Sequence, residues 1–299
     1  MSRLRDNING SSRSFRNMLG KNFITIPGVY SGISALIAEK AGFKSMYLSG
    51  SGVAGMMGLP DLSVTTLDEV VREAQNITSI SKLPLIVDCD TGFGEPLNVM
   101  RTVRLMERAG VAAIHIEDQE LPKKCGHLNG KSIVPVDDFI AKLRAAKEAS
   151  KDPDFSLIAR TDARSVGGLD DAIERSREYL KAGADIIFTE ALESPEEFRE
   201  MRKKVNGYLM SNMTEFGKSP LLSVEELKEI GYDMVIFPLT AFRSILKQTE
   251  NIYRELQEQG TQRNFIDQLM TRKQYYELIG YSEYEDEDYS LASRKNMQK

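Results

Sequence analysis

The chain has 299 residues, 41% of them hydrophobic and 28% charged, with a formal net charge of −5. This composition excludes a largely disordered chain and allows a large core. It carries 39 Lys and Arg against 44 Asp and Glu, so there is no basic surplus for a nucleic-acid partner. No apolar run nears the roughly 18 residues that a membrane span needs. Two cysteines, Cys89 and Cys125, set no disulfide framework. Residues 1–22 are polar and lack an apolar signal region, so a reducing cytoplasm is the expected compartment.

After that N-terminal segment, short β-branched or apolar runs alternate with longer amphipathic runs, as βαβ units require. Strands are predicted at 23–27, 45–49, 85–88, 112–117, 156–160, 185–190, 208–212 and 234–238. Between them Val99, Val103 and Met106 share one helical face; Leu169, Ala172, Ile173, Ser176 and Leu180 share another. Gly42, Gly110, Gly183 and Gly231 each follow an expected helix, where a C-terminal cap suits glycine.

Eight strand–helix units predict an α/β fold, a (β/α)8 TIM-type barrel, with 1–299 as a single domain. No Gly-x-Gly-x-x-Gly turn follows the first strand, which disfavours a doubly wound sheet. Past Pro238 the chain is expected to be helical to about Gly280, roughly one helix more than a barrel requires. The surplus, an arm from about 261 to 299, is either a cap on the barrel or a reach to a neighbouring subunit. Its acidic block, 283–288, interrupted by Tyr284, reads as a solvated tail.

Barrel active sites sit at the C-terminal ends of the strands. Here those ends read Ser49-Gly50, Asp88, Glu117-Asp118, Arg160-Thr161-Asp162, Glu190 and Asn212. Turn chemistry alone does not put a polar residue at so many ends of one rim. Strand alternation sends Asp88 and Asp90 to one side and Cys89 to the other. Two carboxylates at a barrel mouth suit a hard divalent cation such as Mg2+, with Glu117 joining through a water.

The long loop 118–135 reads as a lid and carries Lys123-Lys124-Cys125-Gly126-His127. Flanking positive charge is expected to ease ionisation of the Cys125 thiol. His115 lies mid-strand and reads as a satisfied interior histidine. Arg160, Arg243 and Arg272 offer bidentate partners for a small polyanion.

These motifs, with Tyr47-Leu48-Ser49-Gly50, Gly58-Leu59-Pro60-Asp61 and His115-Ile116-Glu117-Asp118-Gln119, resemble the isocitrate lyase/phosphoenolpyruvate mutase superfamily in order and spacing. The resemblance runs from about Phe15 to Tyr284, and the Lys-Lys-Cys-Gly-His loop marks the lyases within it. The segment Asn212-Met213-Thr214-Glu215-Phe216-Gly217 and the arginines Arg243 and Arg272 are similar to the branch acting on a methylated tricarboxylate. True isocitrate lyases carry a tryptophan-containing segment and inserted helices there; this chain has no tryptophan. Lys124 departs from that branch, where bacterial members often have arginine. Isocitrate, or a two-carboxylate acid such as dimethylmalate or oxaloacetate, is the alternative substrate.

The resemblance implies retro-aldol-like carbon–carbon cleavage of a small-molecule tricarboxylate to pyruvate and succinate. It implies Mg2+ (or Mn2+) at Asp88 and Asp90, with Asp61 and Glu117 in the metal shell. Cys125 is implied as general acid, Tyr47 as base, and His127 as a catalytic neighbour. Ser49, Gly50, Ser51, Gly126, Arg160, Glu190, Asn212, Met213, Thr214, Arg243 and Arg272 are implied substrate contacts. A homotetramer exchanging a C-terminal helix is the implied assembly.

Overall fold

The computed structural model describes residues 11–294. Residues 1–10 of the N-terminal segment and 295–299 of the acidic tail lie outside the described residues. Eight strands run parallel: β1 (Ile24–Val29), β2 (Met46–Leu48), β3 (Leu85–Asp88), β4 (Ala113–Glu117), β5 (Ser156–Thr161), β6 (Ile186–Thr189), β7 (Tyr208–Asn212) and β8 (Met234–Phe237). Each pairs with the next, and β8 closes on β1 with Ile24 opposite Met234. This is the barrel expected from the alternating pattern, with strand positions shifted by a residue or two at most ends. β2 stops early because Ser49 already opens a short helix, α3 (Gly50–Met56).

Two apolar layers hold the barrel. The inner layer fills its axis with Ile24, Ile26, Tyr47, Ile86, Ala113, Ile158, Ile186, Phe188, Met210 and Met234. The outer layer joins the alternate strand residues, Leu85, Val87, Ile114, Ile116, Leu157 and Ile187, to the helices. Each large side chain buried there stabilises the fold by about 1.5–3 kcal/mol.

The surrounding helices begin with α1 (Ser11–Met18), α2 (Gly32–Lys40) and, beyond α3, α4 (Leu67–Thr78). They continue as α5 (Pro96–Arg108), α6 (Val136–Ala149), α7 (Leu169–Lys181), α8 (Pro195–Lys204), α9 (Val224–Ile230) and α10 (Thr240–Gln259). The starts are encoded locally: Thr66 and Glu69 form a capping box on α4, and Pro96 occupies the first turn of α5. α9 ends on Gly231 at φ 97°, a left-handed cap that a side chain would strain.

α1 was not legible in the polar N-terminal segment. It inserts Phe15, fully buried, into the inner layer. At the other end come a short 3-10 turn (Arg263–Gln268), α11 (Arg272–Ile279) and α12 (Tyr281–Arg294). The acidic block 283–288 is therefore helical rather than a tail, because it lies within α12. Among the described residues no helix is long and apolar enough to cross a membrane.

Candidate active site

The period-two alternation of a strand builds the site directly on the inner core. Above Ile86 comes Asp88; above Ala113 come His115 and Glu117; above Ile158 comes Arg160; above Phe188 comes Glu190; above Met210 comes Asn212. These polar residues crown the apolar axis at the C-terminal rim. Asp88, Arg160, Glu190 and Asn212, with the loops above, line a cavity of about 250 Å3, sized for a small acid rather than a nucleotide.

Asp88 is held from three sides. Its Oδ2 accepts the Gly50 N–H (3.1 Å), its Oδ1 accepts the Asp90 N–H (3.1 Å), and His115 Nε2 lies 3.5 Å away. Burial opposes ionisation of Asp88, but His115, once protonated in acid, together with Lys123 and Arg160, outweighs it and holds the carboxyl down to about 2. Asp90, at φ 47°, leaves the strand and accepts the Ser63 hydroxyl (3.1 Å). Burial raises its pKa, with Lys123 working against the rise.

Lys123 Nζ lies 2.9 Å from Asp90 Oδ1 and also pairs with Asp61. Burial would favour its neutral form, but Glu117, Asp90, Asp88 and Asp61 keep it charged, with its pKa raised. Sequence reasoning placed Lys123 only as a neighbour of the cysteine. It is the ammonium at the centre of the carboxylate cluster, and the signal was the surplus of acid at the strand ends.

Glu117 is buried beneath the cavity, 3.2 Å from Arg160 Nε, and burial pushes its pKa well up despite that guanidinium. Its Oε1 lacks a hydrogen-bond partner among the described residues. Arg160 also meets Asp162 (2.9 Å) and Glu190 (3.4 Å). Behind it, Asp118 accepts the Thr161 and Tyr179 hydroxyls and the Asp162 N–H, and so fixes the end of β5.

The Cys125 loop closes over this cluster. Gln119 grips Lys124 through two backbone bonds, its side chain donating to Lys124 O (2.9 Å) and accepting Lys124 N–H (3.0 Å). His127 Nδ1 accepts the Lys218 N–H (2.9 Å), so the ring proton sits on Nε2, 3.0 Å from Glu190 Oε1. His127 therefore braces the loop between β6 and the segment after β7. Lys124 reaches Gly130 O, away from the cluster.

The expected easy ionisation of Cys125 is not found. Burial raises its pKa, Asp61 and Glu190 add to the rise, and only the His127 N–H and Arg160 oppose it. The thiol keeps its proton because the lysines beside it in sequence pair elsewhere. Cys89 is fully buried in the outer layer, as the alternation predicts.

Tyr47 lines the cavity, and its hydroxyl sits 2.7 Å from His115 Nε2. Burial, with Asp88 next, drives its pKa well above the ordinary phenol. A phenol so held keeps its proton in the metal-free protein, which weighs against the expected role of base. His115, lowered to about 4 by burial, is neutral. It is only half satisfied, since Nδ1 has no hydrogen-bond partner among the described residues.

Ser49, Ser51, Asp61, Gly126, Asn212 and Thr214 also line the cavity, while Gly50 backs Asp88. Three expected site residues stand apart or are occupied. Met213 is buried in the outer layer, where its sulfur accepts the Leu222 N–H. Arg272 is exposed at the start of α11 and does not line the cavity. Arg243 lines it but is already engaged: Nη1 donates to Glu215 Oε2 (3.1 Å) and Glu215 O, and its guanidinium lies 5.5 Å from the Phe216 ring. Glu215 was missed because its partner is 28 residues away.

The oxygen-rich set fits a divalent cation. Among the described residues no three His, Cys, Asp or Glu side chains converge as a metal-holding group. Mg2+, however, takes only one or two carboxylates, with waters and substrate oxygens completing its shell. Glu117 Oε1 is buried without a hydrogen-bond partner among the described residues, and four carboxylates surround one ammonium, which leaves the cluster short of positive charge.

Fold and rim together define a barrel enzyme that handles a small polyanionic molecule over a carboxylate cluster and a protonated thiol. A sequence profile described as Phosphoenolpyruvate phosphomutase matches residues 15–257, and the chain belongs to this family, within the phosphoenolpyruvate mutase/isocitrate lyase superfamily. It is 50% identical over 275 residues to a 2-methylisocitrate lyase of Aeropyrum pernix, covering 92% of this chain and 88% of that one. It is 44% identical over 279 residues to a 2-methylisocitrate lyase of Bacillus subtilis, covering 93% and 92%. Among solved structures it is similar to 2,3-dimethylmalate lyase, with a TM-score of 0.88 and 36% identity over 94% of this chain and 95% of that one.

Proposed function

We propose that the chain is a carbon–carbon lyase that cleaves 2-methylisocitrate to pyruvate and succinate, and with it serves propionate catabolism through the methylcitrate cycle. The observation that carries this reading is the placement of Cys125, on a tied-down loop that lines the same cavity as Arg160, Glu190 and Asp88. A carboxylate of the cavity lining takes the substrate hydroxyl proton as the ketone of pyruvate forms, and rupture of the carbon–carbon bond leaves its electron pair on the carbon beside a carboxylate of the departing succinate. Arg160 and the hydrogen-bonding rim stabilise that charge. Cys125 then delivers its proton to the carbanion as general acid, ending as thiolate. Tyr47 keeps its own proton and orients the cavity wall through His115. The loop over the mouth excludes water, which would otherwise compete to protonate the carbanion.

Mg2+ or Mn2+ would be held at Asp88 and Asp90, with Asp61 and Glu117 beside them. A bound divalent ion supplies Lewis-acid polarisation of substrate oxygens. Arg243 is the proposed partner of the third carboxylate. Glu215 engages it through Nη1, and since Arg243 lines the cavity its other guanidinium donors would serve a ligand there. A second reading, a two-carboxylate substrate, draws on this same pairing, since Arg243 already has a carboxylate.

A homotetramer joined through the C-terminal arm is proposed from its apolar surface: Ile266, Leu269, Met270 and Tyr289 are all exposed. A reducing cytoplasm suits a free catalytic thiol.

The test is Arg243→Ala on two substrates. A charge-assisted hydrogen bond contributes about 1.5–3 kcal/mol. kcat/KM for 2-methylisocitrate should therefore fall about tenfold to a few hundredfold. Slow turnover of dimethylmalate, which lacks the third carboxylate, should change much less. Equal losses for both would assign Arg243 to the shared end of the substrate and favour the second reading.

A further inference from the structure

Three ties hold the Cys125 loop, and two have been described, at Lys124 and His127. The third is a buried charge that the chemistry above does not use. Lys131 stands on the returning arm of the loop, where Glu120 N–H donates to Ser132 O and Val134 N–H donates to Asp118 O. These bonds fold residues 118–134 into a hairpin over the rim. The Lys131 side chain is 1% exposed. Its ammonium donates to Asp162 Oδ1 (2.6 Å) and to the carbonyl of Gly126, the residue next to Cys125.

Asp162 is in turn the carboxylate that pairs with Arg160, so one ammonium joins the cysteine loop to the counter-ion of the rim arginine. The fit at this point is tight. A Cβ on Gly126 would lie 2.3 Å from Glu190 Cγ and 2.4 Å from Arg160 Nη2. The carbonyl of Gly126 is thus held at one height above Arg160, and the neighbouring thiol with it.

We propose that Lys131 is the positioning residue that sets Cys125 over the site, clamping Gly126 to Asp162. It does not touch the reacting atoms and acts through the cysteine. The proposal rests on Cys125 being the proton donor of the lyase reading. A thiol must sit within hydrogen-bond reach of the carbon it protonates, and a misplacement of about 1 Å can cost 100-fold in rate.

The experiment compares Lys131→Met in the wild-type and Cys125→Ser backgrounds and measures alkylation of the native thiol by iodoacetamide. Cys89 is fully buried, so the labelling reports Cys125. Folding is checked by circular dichroism and Tm. The expected result is faster labelling in Lys131→Met, a loss of about 100-fold in kcat on 2-methylisocitrate, and little further loss when Cys125 is already serine. Unchanged labelling in a folded variant would overturn the proposal. So would equal fold-losses in the two backgrounds, which mark a role independent of the cysteine. If Lys131→Met loses its fold, Lys131→Arg keeps the charge against Asp162 but misplaces the donor at Gly126, and carries the same labelling test. Labelling needs no substrate, so a wild-type enzyme inactive on 2-methylisocitrate would sink the lyase reading alone and leave the clamp decided by the thiol.

Discussion

Cys125 shows how far neighbours in sequence differ from neighbours in space. Two lysines and a histidine surround it in the chain, yet Lys123 pairs with Asp61 and Asp90, and Lys124 with the Gly130 carbonyl. Burial then sets the direction, and the thiol pKa rises. The sign is testable in metal-free protein. Thiolate is the form that reacts with iodoacetamide, so a raised pKa means slow labelling at neutral pH. The expected profile rises with a midpoint above the ordinary thiol value of about 8.5, and at neutral pH the native protein reacts more slowly than the urea-unfolded chain. A midpoint below that of the unfolded chain would restore the thiolate expected from the flanking charges. What the sequence does show at this scale is the period of two, which stacked Asp88, Glu117, Arg160 and Glu190 above the axis. It does not show pairings such as Lys123 with Asp61, 62 residues apart, or Lys131 with Asp162, 31 apart, because no local period connects them.

The lid hairpin is an element made by its ties rather than by apolar packing. Leu121 and Leu128 are exposed, while Gln119, Lys131 and His127 hold the backbone in place. Such an element tolerates little displacement at the point where it meets the rim. Gly126→Ala places a methyl group against Glu190 and Arg160, so either the loop or those two side chains must shift to admit it. The expected outcome is a kcat loss of about 100-fold from displacing the thiol. Tm should remain close to that of the wild type, since the barrel core is untouched. Near-normal turnover in Gly126→Ala would mean that the loop does not close on Arg160 and Glu190 during the reaction. The barrel strands were legible because apolar runs and glycine caps repeat along the chain. α1 was not, because its single buried anchor, Phe15, sits among polar residues. α12 was mistaken for a tail because acidic runs usually are tails.

At the scale of the molecule, the apolar axis and the charged crown oppose each other. The axis holds the barrel closed, while the crown concentrates Asp61, Asp88, Asp90 and Glu117 around one ammonium. A divalent cation that binds only the folded state relieves that repulsion and stabilises the fold by linkage, about 2.7 kcal/mol at a hundred times its Kd. For a chain of 299 residues that corresponds to roughly 4 °C in Tm. Mg2+ added to EDTA-treated protein should raise Tm by this order, and Asp90→Asn should remove most of the shift. A Tm indifferent to Mg2+ in the wild type would show that the cluster does not hold the ion.

The central claim is that this site cleaves a methylated tricarboxylate between carbons. Its most direct test is kcat/KM for 2-methylisocitrate, isocitrate, dimethylmalate and oxaloacetate measured side by side, with products quantified. Expected is a preference for 2-methylisocitrate of about tenfold or more, equivalent to roughly 1.4 kcal/mol, with pyruvate and succinate formed in equal amounts. Faster turnover of dimethylmalate or oxaloacetate, or no cleavage of the tricarboxylate, would contradict it.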